Sequence, residues 1–185
     1  GDGVHALSEA SPSRRAAQAV DALRHGWPLA IAGAPLLQPV ETAFGDLSGE
    51  AMLISATRAA TLKLVNQIEA ATPRQPVLMR AAEILDLPAA LAIADPALDM
   101  AHPMKGPFKA LPLDWDEQAR AALELARMAG VLPAFLIDPA SASEAVSLTA
   151  DDVIAYADAS RLQIATRAHL PVAAAPDARI VAFRS

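Results

Sequence analysis

The chain has 185 residues, enough for one domain or for one domain with a small appended subdomain. Hydrophobic residues make up 54% of it, but the apolar runs are broken by proline, glycine or charge and stay far below the ~20 residues that a membrane span needs. The net charge is −6 and no basic cluster exceeds Arg14 and Arg15, which disfavours binding to phosphate backbones. We therefore expect a soluble protein with neither a membrane nor a nucleic acid as its partner.

The absence of cysteine excludes disulfide bonds, thiol nucleophiles and thiolate zinc sites from this chain, and it fits a cytoplasmic protein. The four histidines, His5, His25, His102 and His169, are scattered along the sequence, and no two of them have the spacing of metal ligands on a helix. We interpret them as surface residues and predict no metal site. Stability must then come from packing, in a fold that buries roughly 70% of its unfolded surface.

The first half of the chain predicts short elements separated by turns. Residues 1–12 show no signal-peptide pattern and are expected to form a flexible tail. Ser11 and Pro12 predict the start of a helix that ends at Gly26. The next predicted elements, in chain order, are a strand at 29–31, a strand at 36–41, a turn at 45–50, a strand at 52–54 and a helix over 57–68.

The second half alternates in the same way, which favours an α/β fold with α+β layers. Residues 95–113 contain four prolines and are expected to form the longest irregular segment, the natural place for a functional loop. A strong helix begins at Asp114 or Asp116 and ends at Ala129, and Thr149 with Asp152 predicts a capping box for the last one. The other predictions are a helical stretch over 81–94 with a break at Pro88, and strands at 77–79, 134–137, 146–148, 162–165 and 180–183.

One pair of residues is a candidate phosphate site. Thr57 and Arg58 follow a predicted buried strand at a helix start, where backbone N–H groups and a guanidinium can bind an anion. The alternative interpretation is a helix cap beside a solvated arginine. The adjacent acids Asp151 and Asp152 suit the start of a helix and predict no catalytic role. No acid, base and electrophile come together, so we assign no catalytic residue.

Two segments resemble one enzyme family. Residues 19–31, which read Ala-Val-Asp-Ala-Leu-Arg-His-Gly-Trp-Pro-Leu-Ala-Ile, resemble the opening helix, glycine and first strand of 3,4-dihydroxy-2-butanone 4-phosphate synthase. Residues 121–137, which read Ala-Ala-Leu-Glu-Leu-Ala-Arg-Met-Ala-Gly-Val-Leu-Pro-Ala-Phe-Leu-Ile, resemble its late helix and following strand, and residues 52–64 are similar to a middle segment. The resemblance implies a synthase-like sheet flanked by helices over residues 13–140, and a homodimer.

The chain departs from that family where the synthase binds its substrate. In the active synthase, as the resemblance implies, an acidic loop after the first strand holds magnesium and ribulose 5-phosphate. Here that place reads Ala-Gly-Ala-Pro-Leu-Leu-Gln-Pro over residues 32–39, and residues 116–120 replace the family's Gly-His-Thr-Glu. Because magnesium is usually anchored by carboxylates, both halves of the expected site are lost.

A degenerate synthase followed by a segment such as 141–185 resembles the N-terminal region of some bacterial GTP cyclohydrolase II proteins. Residues 179–185 form a β-type run that stops without a turn, so we expect a longer protein in which the catalytic domain, with its zinc, follows. The resemblance implies that the parent is a hydrolase of riboflavin biosynthesis. This chain would be its non-catalytic scaffold, dimerisation or regulatory domain and would hold no cofactor.

Two other hypotheses remain open. One is an active sugar-phosphate enzyme of the synthase type, in which Arg58 binds the phosphate of ribulose 5-phosphate and acids of the 95–116 loop replace the lost ligands. The other is a small-ligand sensor that has kept the pocket and lost the chemistry. Magnesium-dependent turnover would distinguish the first, and binding of GTP or a flavin the second.

Overall fold

The computed structural model describes residues 11–64, 67, 74–102 and 106–168, with side chains up to Leu162 in the last helix. Its strands are β1 (Leu29–Ile31), β2 (Leu37–Pro39), β3 (Ser48–Ile54), β4 (Val77–Asp86), β5 (Phe108–Leu111), β6 (Ala134–Ile137) and β7 (Val146–Leu148). Its helices are α1 (Pro12–Arg24), α2 (Ala56–Thr61), α3 (Leu87–Ala94), α4 (Asp116–Ala129) and α5 (Ala150–Ala168). The strands of this described part form one mixed sheet in the order β5-β4-β3-β6-β2-β1-β7. The predicted layered α/β architecture is confirmed.

The pairing of the strands gives their relative directions. β1 is parallel to β7, and both β1 and β6 are antiparallel to β2, so β1, β6 and β7 point the same way. β3 is antiparallel to both β4 and β6, and β5 is antiparallel to β4. Since β7 pairs with β1, the described part of residues 141–185 belongs to the same sheet as the segment before it.

Each face of the sheet has its own core. Helices α1, α4 and α5 cover one face over β1, β2, β6 and β7, where Leu23, Leu125 and Phe135 are fully buried. Helices α2 and α3 cover the other face over β3 and β4, where Met52, Met79 and Leu136 take part. Burying one such side chain contributes about 1.5–3 kcal/mol. These two cores hold the elements that position the polar residues described below.

One predicted helix is wrong at its start. Residues 81–86 belong to strand β4, in which Ala81 pairs with Phe108 of β5 and Asp86 with Ser48 of β3. Helix α3 begins only at Leu87, where the carboxylate of Asp86 accepts a hydrogen bond from the backbone N–H of Ala89. Pro88 therefore lies in the first turn, where it fits, and does not interrupt a helix. Pairing on both sides of β4 overrides the helix propensity of these residues.

Other boundaries also move. Strand β3 begins at Ser48 within the predicted turn, strand β5 lies within the predicted irregular segment, and the predicted strand at 162–165 is part of α5. Helix α2 ends at Thr61, short of the predicted residue 68. The strand predicted at 180–183 and the tail 1–10 lie outside the described residues. Within the described ranges, no helix combines the length and hydropathy required to cross a membrane.

Candidate functional site

Three helices begin at the same edge of the sheet. Helices α1 and α4 lead into β1 and β6 through short turns, and α5 begins directly after β7. Helices joined so closely to strands run antiparallel to them. Because β1, β6 and β7 point the same way, their carboxyl ends meet the N-termini of these helices, at what we call the carboxyl edge. Ligands of α/β sheets bind outside such ends, and helix N-termini carry partial positive charge.

The two segments that the resemblance places at the synthase site do meet at this edge. Gly33, in the turn after β1, has a backbone φ of +92°, and a Cβ there would lie 2.8 Å from Nε2 of Gln118 in the first turns of α4. A residue other than glycine at position 33 would be strained at that φ, and its Cβ would clash with the side-chain amide of Gln118. The turn after β1 and the start of α4 are therefore packed directly against each other.

Asp138 closes the same turn from the end of β6. Its Oδ1 accepts a hydrogen bond from the backbone N–H of Leu36 at 2.9 Å, and its own N–H donates to the carbonyl of Leu36 at 2.9 Å. No local pattern in the sequence reveals this contact, because the two residues are 102 positions apart. The signal that was available is an aspartate directly after a buried strand.

Asp152 is the most constrained carboxylate of the carboxyl edge. It forms the predicted capping box with Thr149, in which each residue's backbone N–H donates to the side chain of the other, at 2.9 and 3.2 Å. Both carboxylate oxygens also accept from Arg15 of α1 at 2.9 Å. These bonds, led by those from Arg15, lower the pKa of Asp152 below its usual value, against the effect of burial. The pair joins the N-termini of α1 and α5.

The acids at the start of α4 are exposed to different degrees and belong to a local network. Asp116 forms an ion pair with Arg120 one turn further along the same helix. The N-cap, Trp115, provides no side-chain hydrogen bond, so Asp116 and Glu117 serve the helix by their charge near its N-terminus. Of the carboxylates at the carboxyl edge, Asp116, Asp138 and Asp152 thus all have partners within the fold.

The residues of this edge do not fit the magnesium ion of the synthase. Magnesium takes oxygen ligands in an octahedron and is usually anchored by carboxylates that converge on it. Here the turn 32–36 carries only apolar residues and glycine, and Asp138 and Asp152 accept hydrogen bonds from the backbone and from Arg15. Among the described residues, no three His, Asp or Glu side chains form a group that could hold a metal.

The candidate phosphate residues Thr57 and Arg58 lie on the other face of the sheet. Arg58 is buried, with 6% of its surface exposed, so the alternative interpretation of a solvated arginine is wrong. Its Nε donates to the carbonyl of Ile93 at 2.6 Å, and its Nη2 to that of Ala92 at 3.5 Å. Nη1 and Nη2 donate to Asp99 at 2.9 and 2.7 Å. Thr57 is exposed, and the helix cap is Ser55, whose Oγ accepts from the N–H of Arg58.

Through these contacts Arg58 holds helix α2 to the end of helix α3 and to Asp99. Ala92 and Ile93 lie in the last turn of α3, whose carbonyls have no partner within the helix. Arg58 therefore caps α3 from α2 and fixes the segment that carries Asp99, part of the predicted functional loop. Four of the five N–H groups of the guanidinium are used in this way. Asp99 was missed because nothing local distinguishes it from the other acids of that loop.

The described histidines are exposed, as predicted for His25 and His102. The Nδ1 atom of His25 is 2.8 Å from the carbonyl oxygen of Asp21, and its ring stacks on Trp27 with 4.9 Å between centroids. His5 and His169 lie outside the described residues. The histidine at the end of α1 is therefore part of a helix terminus.

Comparison with known proteins assigns no family, since no protein-family model matches this chain and no curated protein matches its sequence. The resemblance to the synthase rests on the residues quoted above. In the structure, residues 19–31 lie in α1 and β1, residues 121–137 in α4 and β6, and both contribute to the same core.

Proposed function

We propose that this chain is the non-catalytic N-terminal domain of a cytoplasmic riboflavin-biosynthesis protein of the GTP cyclohydrolase II type. The parent would convert GTP to a diaminopyrimidine ribosylamino phosphate, formate and pyrophosphate in a downstream zinc domain. The chain itself would serve as a scaffold, as a dimerisation surface or as a regulatory module. The resemblance of residues 19–31, 52–64 and 121–137 is the sequence support for this proposal.

The contact between Gly33 and Gln118 is the observation that carries the non-catalytic role. It lies at the place where the resemblance puts the acidic loop of an active synthase, and it fills that place with an apolar turn packed on an amide. A synthase must stabilise the charge of a sugar phosphate with a metal that its carboxylates hold. The carboxylates of Asp138 and Asp152 instead hold the turn after β1 to the end of β6 and the start of α1 to the start of α5.

Turnover assays test this role. The purified chain is incubated with ribulose 5-phosphate in Mg²⁺ or Mn²⁺, and separately with GTP and Zn²⁺, and formate release is measured in both reactions. We expect no turnover in either. Magnesium-dependent formate release from ribulose 5-phosphate would overturn the proposal and favour the active sugar-phosphate enzyme.

The coding sequence beyond Ser185 provides an independent check on the parent. We expect a domain with a cysteine-rich zinc motif there, because zinc sites in such enzymes need thiolates that this chain lacks. An unrelated downstream domain would contradict the assignment to the GTP cyclohydrolase II type. It would leave the turnover result for this chain unchanged.

A further inference from the structure

An exposed stripe runs along helix α5 on the side away from the sheet. Ile154, Asp158, Arg161 and Leu162 are spaced at i, i+4, i+7 and i+8, which places them on one face of the helix. The two apolar members are 50% and 70% exposed, whereas Val153 and Ala157 beside them are buried. These two aliphatic side chains on one helix face provide apolar area for contact with another chain.

The stripe borders a groove of about 690 Å³ between α4 and α5. The floor of the groove is made by Ala121, Val153 and Ala157. Small side chains on the floor allow the backbone of another helix to approach closely, since packed helix axes lie only about 8–10 Å apart. The groove therefore has the shape to receive a helix.

The rim of the groove carries charges of both signs. Its acids are Asp116, Glu117, Glu124 and Asp158, and its bases are Arg120 and Arg161. The ion pairs Asp116–Arg120 and Asp158–Arg161 are both local and exposed, so their members can exchange partners at little desolvation cost. A surface that contacts its own copy across a two-fold axis must provide both partners of each pair, and this one does.

We propose that two copies of this chain associate through the α4–α5 groove, with the two α5 helices antiparallel across a two-fold axis. Leu162 of each copy packs on the groove floor of the other beside Ala157, and Ile154 lies further from the axis at the outer end of the same contact. Asp158 of one copy then faces Arg161 of the second, and the reverse contact forms by symmetry. The inference rests on the dimerisation role within the proposed function and identifies the surface that performs it.

The size of the surface predicts a weak dimer. Helix α4 has 14 residues and α5 has 19, so they are about 21 and 28 Å long. Two helices side by side, each about 10 Å wide, project to on the order of 500 Å². The accessible area is larger than this flat projection because side chains protrude from the surface. It therefore approaches the ~800 Å² per partner of a typical stable interface. A concentration-dependent equilibrium between monomer and dimer is therefore expected.

Sedimentation equilibrium over a range of concentrations tests the interface. The double substitution I154D/L162D should weaken the dimer by about 100-fold or more, because it places four carboxylates on an apolar contact. Ile84→Asp is the matched control, since Ile84 is an equally large residue, 66% exposed, on strand β4. This control should leave the dimer unchanged. Circular dichroism and urea unfolding check that each variant is folded.

A charge-exchange experiment separates contact between copies from local helix effects. Asp158→Arg and Arg161→Asp each break the local pair and should each be monomeric at concentrations where the wild type is dimeric. Mixing the two variants should restore a dimer, because arginines of one chain then face aspartates of the other. The local pair stays broken in the mixture, so recovery arises only between copies.

Three results would overturn this interface. They are a wild type that is monomeric at every concentration, a dimer that survives I154D/L162D, and a mixture of the charge variants that stays monomeric. The second result would move the dimer contact elsewhere and leave a dimerisation role in place. None of the three affects the turnover assays, so failure of the interface and failure of the proposed function are distinguishable.

Discussion

The two faces of the sheet are each fastened by a bidentate arginine–aspartate pair between residues far apart in sequence, but the buried partner differs. Under α2 and α3, the side chain of Arg58 is 7% exposed and that of Asp99 is 34% exposed. Under α1 and α5 the exposures are reversed, with Arg15 at 34% and Asp152 at 5%. The same chemical pair therefore presents a buried cation on one face and a buried anion on the other.

This difference determines which partner each face depends on. A buried charge needs hydrogen bonds on all sides, and each buried member has found them: Arg58 in the carbonyls of α3, and Asp152 in the capping box of α5. The partly exposed members, Asp99 and Arg15, can be hydrated when the pair is broken. Substitution of a buried member should therefore lower the free energy of unfolding more than substitution of an exposed surface residue of the same type.

The largest effect is expected for Arg58→Met. The substitution keeps most of the side-chain volume but leaves the buried carbonyls of Ala92 and Ile93 without their donor, whereas Asp99 can be hydrated. We therefore expect a loss of about 2–4 kcal/mol in the free energy of unfolding. Urea denaturation measures it. The control is Arg127→Met in α4, because Arg127 forms only a local exposed pair with Glu124 and should cost about 0.5 kcal/mol or less. Similar losses of stability in both variants would contradict the role of Arg58 in holding α2 to α3.

An intermediate effect is expected for Asp152→Ala. The change removes the capping box and the two bonds from Arg15, and we expect a loss of about 1–3 kcal/mol in the free energy of unfolding. Asp151→Ala is the matched control, since Asp151 is the adjacent first-turn acid and is exposed. If both variants lost the same stability, the contribution would come from the helix dipole and not from Arg15 and Thr149.

The smallest and most specific effect concerns pH. The pKa of Asp152 is lower in the folded chain than its ordinary value of 3.8, mainly because of the bonds from Arg15, so the folded state favours the ionised form. The resulting stabilisation is complete above the unfolded pKa and is lost as the pH falls through the folded pKa. The stability difference between the wild type and Asp152→Asn should therefore be constant from pH 7 to about 5 and shrink below about pH 4. A constant difference down to pH 2.5 would contradict this assignment.

The helix termini are the features that the local sequence predicts best. Ser11 caps α1, Gly130 ends α4 with a φ of +75°, and Thr149 and Asp152 form the capping box of α5, all as predicted. Each of these features depends on atoms within about four residues of one another. The layered α/β class could be predicted for the same reason, since the alternation of apolar segments is itself a local pattern.

The contacts that define the candidate sites depend on residues that are distant in sequence. Arg58 and Asp99 are 41 positions apart, and Arg15 and Asp152 are 137 apart. Arg58 could be identified as a candidate from the sequence, but the burial of its guanidinium against α3 could not be predicted. Residues 81–86 were predicted as a helix because the local pattern does not reveal their pairing with β3 and β5.

The amino-acid order alone thus determined where the helices are capped, that strands and helices alternate, and that the turn after β1 carries no carboxylate. Only the tertiary structure decided that this turn packs on Gln118, and that one ion pair buries its arginine and the other its aspartate. The physical reason is that capping and periodicity act over a single turn of chain, whereas burial of a charge depends on which distant elements the two cores bring against it.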